Sequence, residues 1–174
     1  MNGLLAYVSA SDLRIAGRLR DWSPPQWLCL MMISATRFGD GWGWVALIPV
    51  LAAAGEPGRT ALVAGLAAAA VSIGAFTVLK RSIQRPRPCE LGPHPLFRVR
   101  PPDRFSFPSG HTMAACAVGA VLALQFPTLA PVVGLLALGI GASRVVLGLH
   151  YVSDVVAGAV LGTLIGAGAF VALA

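Results

Sequence analysis

From Ala61 to Leu79 the chain runs nineteen residues without a charged side chain, and Lys80 and Arg81 close the run. About 20 such residues in helical form cross the hydrocarbon core of a bilayer, where nothing else can satisfy the backbone N–H and C=O groups. That segment commits the chain to a membrane, and its neighbours read the same way. Further apolar runs cover Trp27 to Ala35, Trp42 to Ala54, Thr112 to Phe126, Leu129 to Ala142 and Val155 to Ala174. The first two are short and are joined by the turn Arg37-Phe38-Gly39-Asp40-Gly41. Composition agrees: 56% of residues are hydrophobic and 11% charged, against roughly 25% charged in soluble domains.

Residues 3–20 intersperse Leu4, Leu5, Val8, Leu13, Ile15 and Leu19 with polar groups, the pattern of an amphipathic helix lying on the membrane surface. Ser23-Pro24-Pro25 ends it. Asp12, Arg14, Arg18, Arg20 and Asp21 interrupt any signal-peptide core. The expected fold is all-α: a polytopic bundle of six transmembrane helices preceded by this interfacial helix (1–21). It forms one domain over 1–174, with no internal repeat. Gly158, Gly162 and Gly166, four apart in the last run, predict close packing against a neighbouring helix.

Seven of the thirteen basic residues fall between Lys80 and Arg104. A basic membrane-bound loop can grip anionic headgroups; no soluble fold remains to present the patch to nucleic acid, so no nucleic-acid partner is expected. Cys29, Cys89 and Cys116 lack the spacing of a disulfide framework or zinc knuckle. Cys29 and Cys116, within apolar runs, read as small hydrophobes.

With six spans, the end of the third (Lys80), the start of the fourth (Ser109), the end of the fifth (Arg144) and the start of the sixth (Asp154) share one face of the membrane. Ionisable groups there are costly and therefore functional candidates. In FPSGHT (107–112), Pro108 sets the entry to a helix, Ser109 can cap it and Gly110 leaves its N–H open. The helix start thereby becomes an anion site, with His111 in its first turn as proton donor. A plain helix cap would explain most of the same letters. His150 and Asp154, four apart, would share a helix face, so that the carboxylate can hold the imidazole; a purely structural pair is the alternative. Arg85-Pro86-Arg87-Pro88 stiffens the chain beyond the membrane and presents guanidinium forks suited to phosphate. Membrane anchoring would account for its charge but not for its prolines.

In order, Lys80 with Arg87-Pro88, then Pro108-Ser109-Gly110-His111, then Ser143-Arg144 with His150 and Asp154, resembles the three-part signature of the type-2 phosphatidic acid phosphatase superfamily. That family contains integral-membrane lipid phosphatases with six helices. The resemblance implies that His150 is a nucleophile forming a phosphohistidine, that Asp154 orients it, and that His111 protonates the leaving group. It implies that Lys80, Arg87, Ser109, Gly110 and Arg144 bind the phosphoryl oxygens. Fixed cations would then neutralise the transferring group, with no metal and no other cofactor. Arg85, at the wrong spacing from Lys80, is expected to be supportive only, and His94 to be an ordinary loop residue. Arg37 and Asp40 fall on the site face and could touch a headgroup.

The expected activity is hydrolysis of a phosphomonoester or diphosphate on a membrane lipid: polyprenyl diphosphate, phosphatidylglycerophosphate, phosphatidate or a lipid A phosphate. A phosphotransferase using the same intermediate is the alternative. Anion or lipid transport would leave the His–Asp pair and second histidine without a purpose. A metal site on His111, His150 and Asp154 would sit among cations that repel it. The chain is expected in the inner membrane with its site on the outer face, Arg14, Arg18, Arg20 and Arg59 marking the cytoplasmic side. The loop from Lys80 to Arg104 opposes that orientation under the positive-inside rule.

Overall fold

The computed structural model describes residues 2–91 and 103–173, and all regular structure among them is helical. The helices are α1 (Asn2–Arg20), α2 (Gln26–Gly39), α3 (Trp42–Ala53), α4 (Gly55–Ile83), α5 (Gly110–Gln125), α6 (Ala130–Val146) and α7 (Val152–Leu173). Short 3-10 turns cover Pro88–Leu91 and Pro127–Leu129. Three helical stretches are long and apolar enough to cross a membrane, Gly55–Glu90, Pro127–Val146 and Val152–Leu173; Trp42–Ala53 and Gly110–Gln125 are shorter apolar helices.

The uncharged run of residues 61–79 lies within α4, whose 29 residues would reach about 43 Å, beyond the ~30 Å hydrocarbon core. Glu56 in its first turn and Lys80 and Arg81 in its last complement the helix dipole. Gln84, at φ 52, ends it. Lys80 is thereby lifted toward the polar boundary while Ala61, Ala64 and Ala68 pack on Ala117, Val121 and Leu122 of α5 and Val133 of α6. Large apolar side chains point outward, among them Val71, Val78, Leu135, Leu138, Leu164 and Val171, as a lipid-facing surface requires.

The glycine spacing in α7 is used for contact between backbones. A β-carbon on Gly158 would lie 2.7 Å from the Ser109 carbonyl oxygen, and on Gly162 or Gly166 2.1 Å from those of Met113 or Ala117. No side chain fits at any of the three. The same contact sets the active end: the Ser109 N–H donates to the Asp154 carbonyl at 3.0 Å, fixing the start of α5 against the start of α7.

Two expectations change. The segments read as separate first and second spans run in series. Cys29 and Met32 of α2 pack with Leu147 and Leu149, Thr36 meets Arg144, and Gly39 lies against Ile140, so α2 descends antiparallel to α6. Beyond Asp40 and Gly41 (φ +112), α3 continues along α4 from the level of Ala69 to that of Gly58. The hydrophobic runs lie in α2 and α3 as expected, but the turn between them is a break between helices that continue in one direction, not a reversal. The second change concerns α1. Its Asp12 bonds to Arg85 and Ser153, so Arg14, Arg18 and Arg20 belong to an element at the same end as the basic loop and mark no opposite face. Among the described residues Arg59, near the start of α4, is the only basic side chain in the far half.

Candidate active site

Arg87 is held fully buried between Pro86 and Pro88. Its Nε donates to the Asp103 carbonyl (3.0 Å), Nη2 to Asp103 Oδ1 (2.8 Å) and Nη1 to the Leu149 carbonyl (2.6 Å). Lys80 Nζ donates to the other Asp103 oxygen at 2.6 Å. One carboxylate thus spaces two cations. Burial works to raise the Asp103 pKa, but the hydrogen bonds and charges of Lys80 and Arg87 outweigh it and hold the carboxyl below its usual range. Asp103 stands six residues before Ser109 in sequence and escapes sequence reading, because nothing there marks it as the partner of α4.

Arg144, in the last turn of α6, is buried, with Nη1 donating to Thr36 Oγ1 and no described partner for Nε. Its backbone carbonyl accepts from the N–H groups of both Leu149 and His150, at 3.0 Å each. The chain turns back at Gly148 (φ +70), where Cys89 N–H also bonds the carbonyl at 3.1 Å. His150 is therefore anchored to Arg144 and to the Arg87 loop through the main chain.

His150 and Asp154 do meet, though not as neighbours on a helix face. His150 precedes α7, and Asp154 sits in its first turn. Asp154 Oδ2 accepts the Tyr151 N–H at 2.9 Å, a reach back across the helix start like that of a capping box, and lies 3.6 Å from His150 Nδ1. The other ring nitrogen, Nε2, is 3.1 Å from Arg87 Nη1. A guanidinium has no acceptor, so Nε2 carries a lone pair toward the cations and Nδ1 carries the proton on the Asp154 side. The 3.6 Å separation exceeds a hydrogen bond, and such contacts in ligand-free sites are often long.

Arg85 lies outside the cavity lining, among the groups that hold Asp154. Nη1 donates to Asp154 Oδ1 and Ser153 Oγ, both at 2.7 Å, and Nη2 to Asp12 Oδ2 at 2.8 Å. Its guanidinium lies 4.0 Å from the Tyr151 ring centroid. Asp12 is itself buried and also accepts from the Ser153 N–H and hydroxyl. Asp12 was visible only as a charge interrupting an apolar pattern; its partners lie far along the chain.

At FPSGHT the expected side-chain cap is absent. Ser109 Oγ pairs instead with Thr112 Oγ1 at 2.9 Å. Gly110 packs closely on α4, since a β-carbon there would lie 3.1 Å from the Phe76 ring. Among the described residues no acceptor takes the backbone N–H of Gly110 or His111. His111 Nε2 is 2.7 Å from Asp40 Oδ1, so Asp40, expected near a headgroup, reaches a histidine. Arg37 is 4.0 Å from the same carboxylate. His94, Arg98 and Arg100 lie outside the described residues.

Lys80, Arg87, Gly110, His111, Arg144 and His150 converge on one cavity of about 490 Å³, with Asp40 and Asp103 in its wall. Ser109 and Asp154 sit behind that wall, buried. The remainder of the lining is apolar, including Trp44, Val45, Ala69, Phe76 and Val118. Trp44, Val45, Ala69 and Val118 also line a second, apolar space of about 110 Å³ between α3, α4 and α5. Among the described residues no three His, Cys, Asp or Glu side chains cluster as metal ligands.

Residues 60–174 match the family model of the PAP2 superfamily. The chain belongs to that superfamily. It is 40% identical over 116 residues to the decaprenylphosphoryl-5-phosphoribose phosphatase of Mycolicibacterium smegmatis, covering 67% of this chain and 62% of that protein. It is 38% identical over 89 residues to a lipid A 1-phosphatase of Rhizobium etli, covering 49% of this chain and 38% of that one. Its fold is similar to the crystal structure of a transmembrane PAP2-type phosphatidylglycerolphosphate phosphatase from Bacillus subtilis, with TM-score 0.73, 28% identity and coverage of 94% and 84% of the two chains. The chain spans less than two thirds of the length of the first two relatives.

Proposed function

We propose that the chain is a membrane lipid phosphatase that transfers the phosphoryl group first to His150 and then to water. The observation that carries this reading is the joint lining of the cavity. Three cations and two histidines meet at one end, and an apolar wall leads from them into the space between α3, α4 and α5. A phosphate seated among Lys80, Arg87 and Arg144 would receive the guanidinium N–H groups and the free N–H groups at the α5 start. A hydrocarbon chain would follow the apolar wall. The unpartnered Arg144 Nε supports it, because a buried charged donor is costly unless something accepts from it.

In the reaction, the His150 Nε2 lone pair forms a P–N bond while the P–O bond to the lipid breaks. The electron pair leaves on the lipid oxygen, which takes a proton from His111. Asp154 supports the positive charge that develops on His150. Water then attacks phosphorus and gives its proton to His111, the P–N bond breaks, and inorganic phosphate leaves. The fixed cations neutralise the equatorial oxygens throughout. Among lipids, a polyprenyl diphosphate or polyprenyl-linked phosphate stands first, in line with the decaprenyl-linked relative, ahead of phosphatidylglycerophosphate, phosphatidate and lipid A.

The whole chain would act as one membrane-embedded domain, with residues 80–108 as its active-site loop and α1 lying on the surface. α2–α3 would make a single broken passage and α4 to α7 one each, five in all, in an inner membrane. An outward-facing site would let an impermeant label reach a Pro95→Cys variant from outside; labelling from inside alone would give the face that the basic end favours. The function itself is tested by phosphate release from those lipids in detergent, with and without EDTA, for wild type and His150→Ala. EDTA-resistant release that the substitution abolishes is expected. Release that needs a metal, or that survives the substitution, overturns the reading, and transfer of the phosphoryl group to an added lipid acceptor would make the enzyme a phosphotransferase.

A further inference from the structure

The break between α2 and α3 is built around Asp40. Gly39 before it packs closely, since a β-carbon there would lie 3.1 Å from Ile140 Cγ2 and 3.3 Å from His111 Cδ2. Gly41 after it sits at φ +112, a conformation that side chains rarely adopt. Broken helices at membrane depth are tolerated where they line a cavity, and all three residues line this one. The break puts Asp40 Oδ1 2.7 Å from His111 Nε2, across a sequence separation of 71 residues.

We propose that Asp40 is a positioning residue for His111, forming a second His–Asp pair that serves the leaving group as Asp154 serves the nucleophile. The proposal rests on the phosphatase reading above. A carboxylate can only accept, so His111 Nε2 carries a proton that stays with Asp40, and Nδ1 is the nitrogen that exchanges a proton with the leaving oxygen. In the first step the P–O bond breaks, its electron pair goes to the lipid oxygen, and that oxygen takes the Nδ1 proton. In the second, water forms a P–O bond as the P–N bond breaks, the electron pair of that bond returns to His150 Nε2, and His111 Nδ1 takes the water's proton. Asp40 stabilises the imidazolium at both ends of the cycle and keeps the ring from turning. An exposed surface pair with Arg37, at 4.0 Å, would need neither the glycines nor the cavity.

The test compares two substrates that differ in their need for an acid. An alkyl lipid phosphate has a poor leaving group; p-nitrophenyl phosphate, with an activated one, departs without help. On the lipid, Asp40→Asn should lower kcat roughly 10- to 100-fold, part of the ~10²–10⁴ that general acid catalysis supplies, and Asp40→Glu should restore part of it. On the aryl phosphate the pre-steady-state burst of p-nitrophenol, which reports transfer to His150 alone, should slow less than about 3-fold, since that step needs no acid there. Hydrolysis of the phosphohistidine, which needs the base, is common to both substrates. His111→Ala should show the same substrate pattern, and adding Asp40→Asn to it should cost little more, as expected of two groups acting as one unit. Equal losses on both substrates, an unimpaired Asp40→Asn, or full additivity with His111→Ala overturns the proposal while leaving the phosphatase reading intact. A wild type that releases no phosphate from either substrate overturns both.

Discussion

The two histidines of the cavity are built in opposite ways. His150 is fully buried on a turn, its backbone bonded to Arg144, its Nε2 against Arg87 and its carboxylate partner four residues onward. His111 stands in the first turn of a helix, and its partner comes from the break between α2 and α3, 71 residues away. The contrast follows from their proposed work. A nucleophile must hold one lone pair on one line, and rigid local structure does that. A group that gives a proton to one oxygen and takes one from another must meet both, and an open cavity wall permits it.

The largest expected effect breaks the symmetry between them. Under the proposed mechanism His150→Ala should lower phosphate release about 10⁴- to 10⁶-fold, the scale seen when a nucleophile is removed, whatever the leaving group. His111→Ala should slow the first step, release of the leaving group, about 10²- to 10⁴-fold on an alkyl phosphate and far less on an activated aryl one. Single-turnover release of the lipid alcohol and of p-nitrophenol checks this. If the two substitutions lose the same factor on both, the division of labour between the histidines is wrong.

Arg85→Gln comes next. It removes the charged bonds that tie Asp154 to Ser153 and Asp12, and so tests whether the nucleophile's pair is held from outside its own helix. A drop in kcat of roughly 10- to 100-fold is expected, matching one charge-assisted bond of about 1.5–3 kcal/mol. KM should change little, because Arg85 is not among the cations of the cavity wall. A rise in KM at constant kcat would instead make Arg85 a phosphate ligand.

The same contrast explains what the sequence could disclose. The cations, FPSGHT and His150 with Asp154 were legible because each is a short local pattern, and the parity of the later spans brought them to one end. Asp12, Asp40 and Asp103 pair with Ser153 and Arg85, His111, and Lys80 with Arg87, respectively, and most of those partners are separated by loops or whole helices. A carboxylate in a turn or an amphipathic helix carries no local mark of such a partner. The α2–α3 break was hidden for a related reason. Gly39-Asp40-Gly41 looks the same whether the chain reverses or continues, and only packing on α6 and α4 distinguishes the two.

The smallest effect expected concerns pH. Burial, reinforced by the charges of Arg87 and Arg144 and opposed by Asp154, pushes the His150 pKa down to about 3, whereas in the unfolded chain it stands near 6.5. Its neutrality in the fold thus costs nothing above about pH 6.5, where both states are unprotonated. As pH falls from there toward about 3, the unfolded state binds a proton that the folded state refuses, and stability declines. The buried ring stays a free nucleophile across that window. The acid limb of kcat/KM should therefore fall well below pH 6.5, and thermal unfolding between pH 7 and pH 5 should show a decline that His150→Gln reduces. A wild-type acid limb centred near pH 6.5, together with a stability decline that His150→Gln leaves unchanged, would mean the ring titrates like an exposed histidine. The difference drawn between the two pairs would then lose its electrostatic basis.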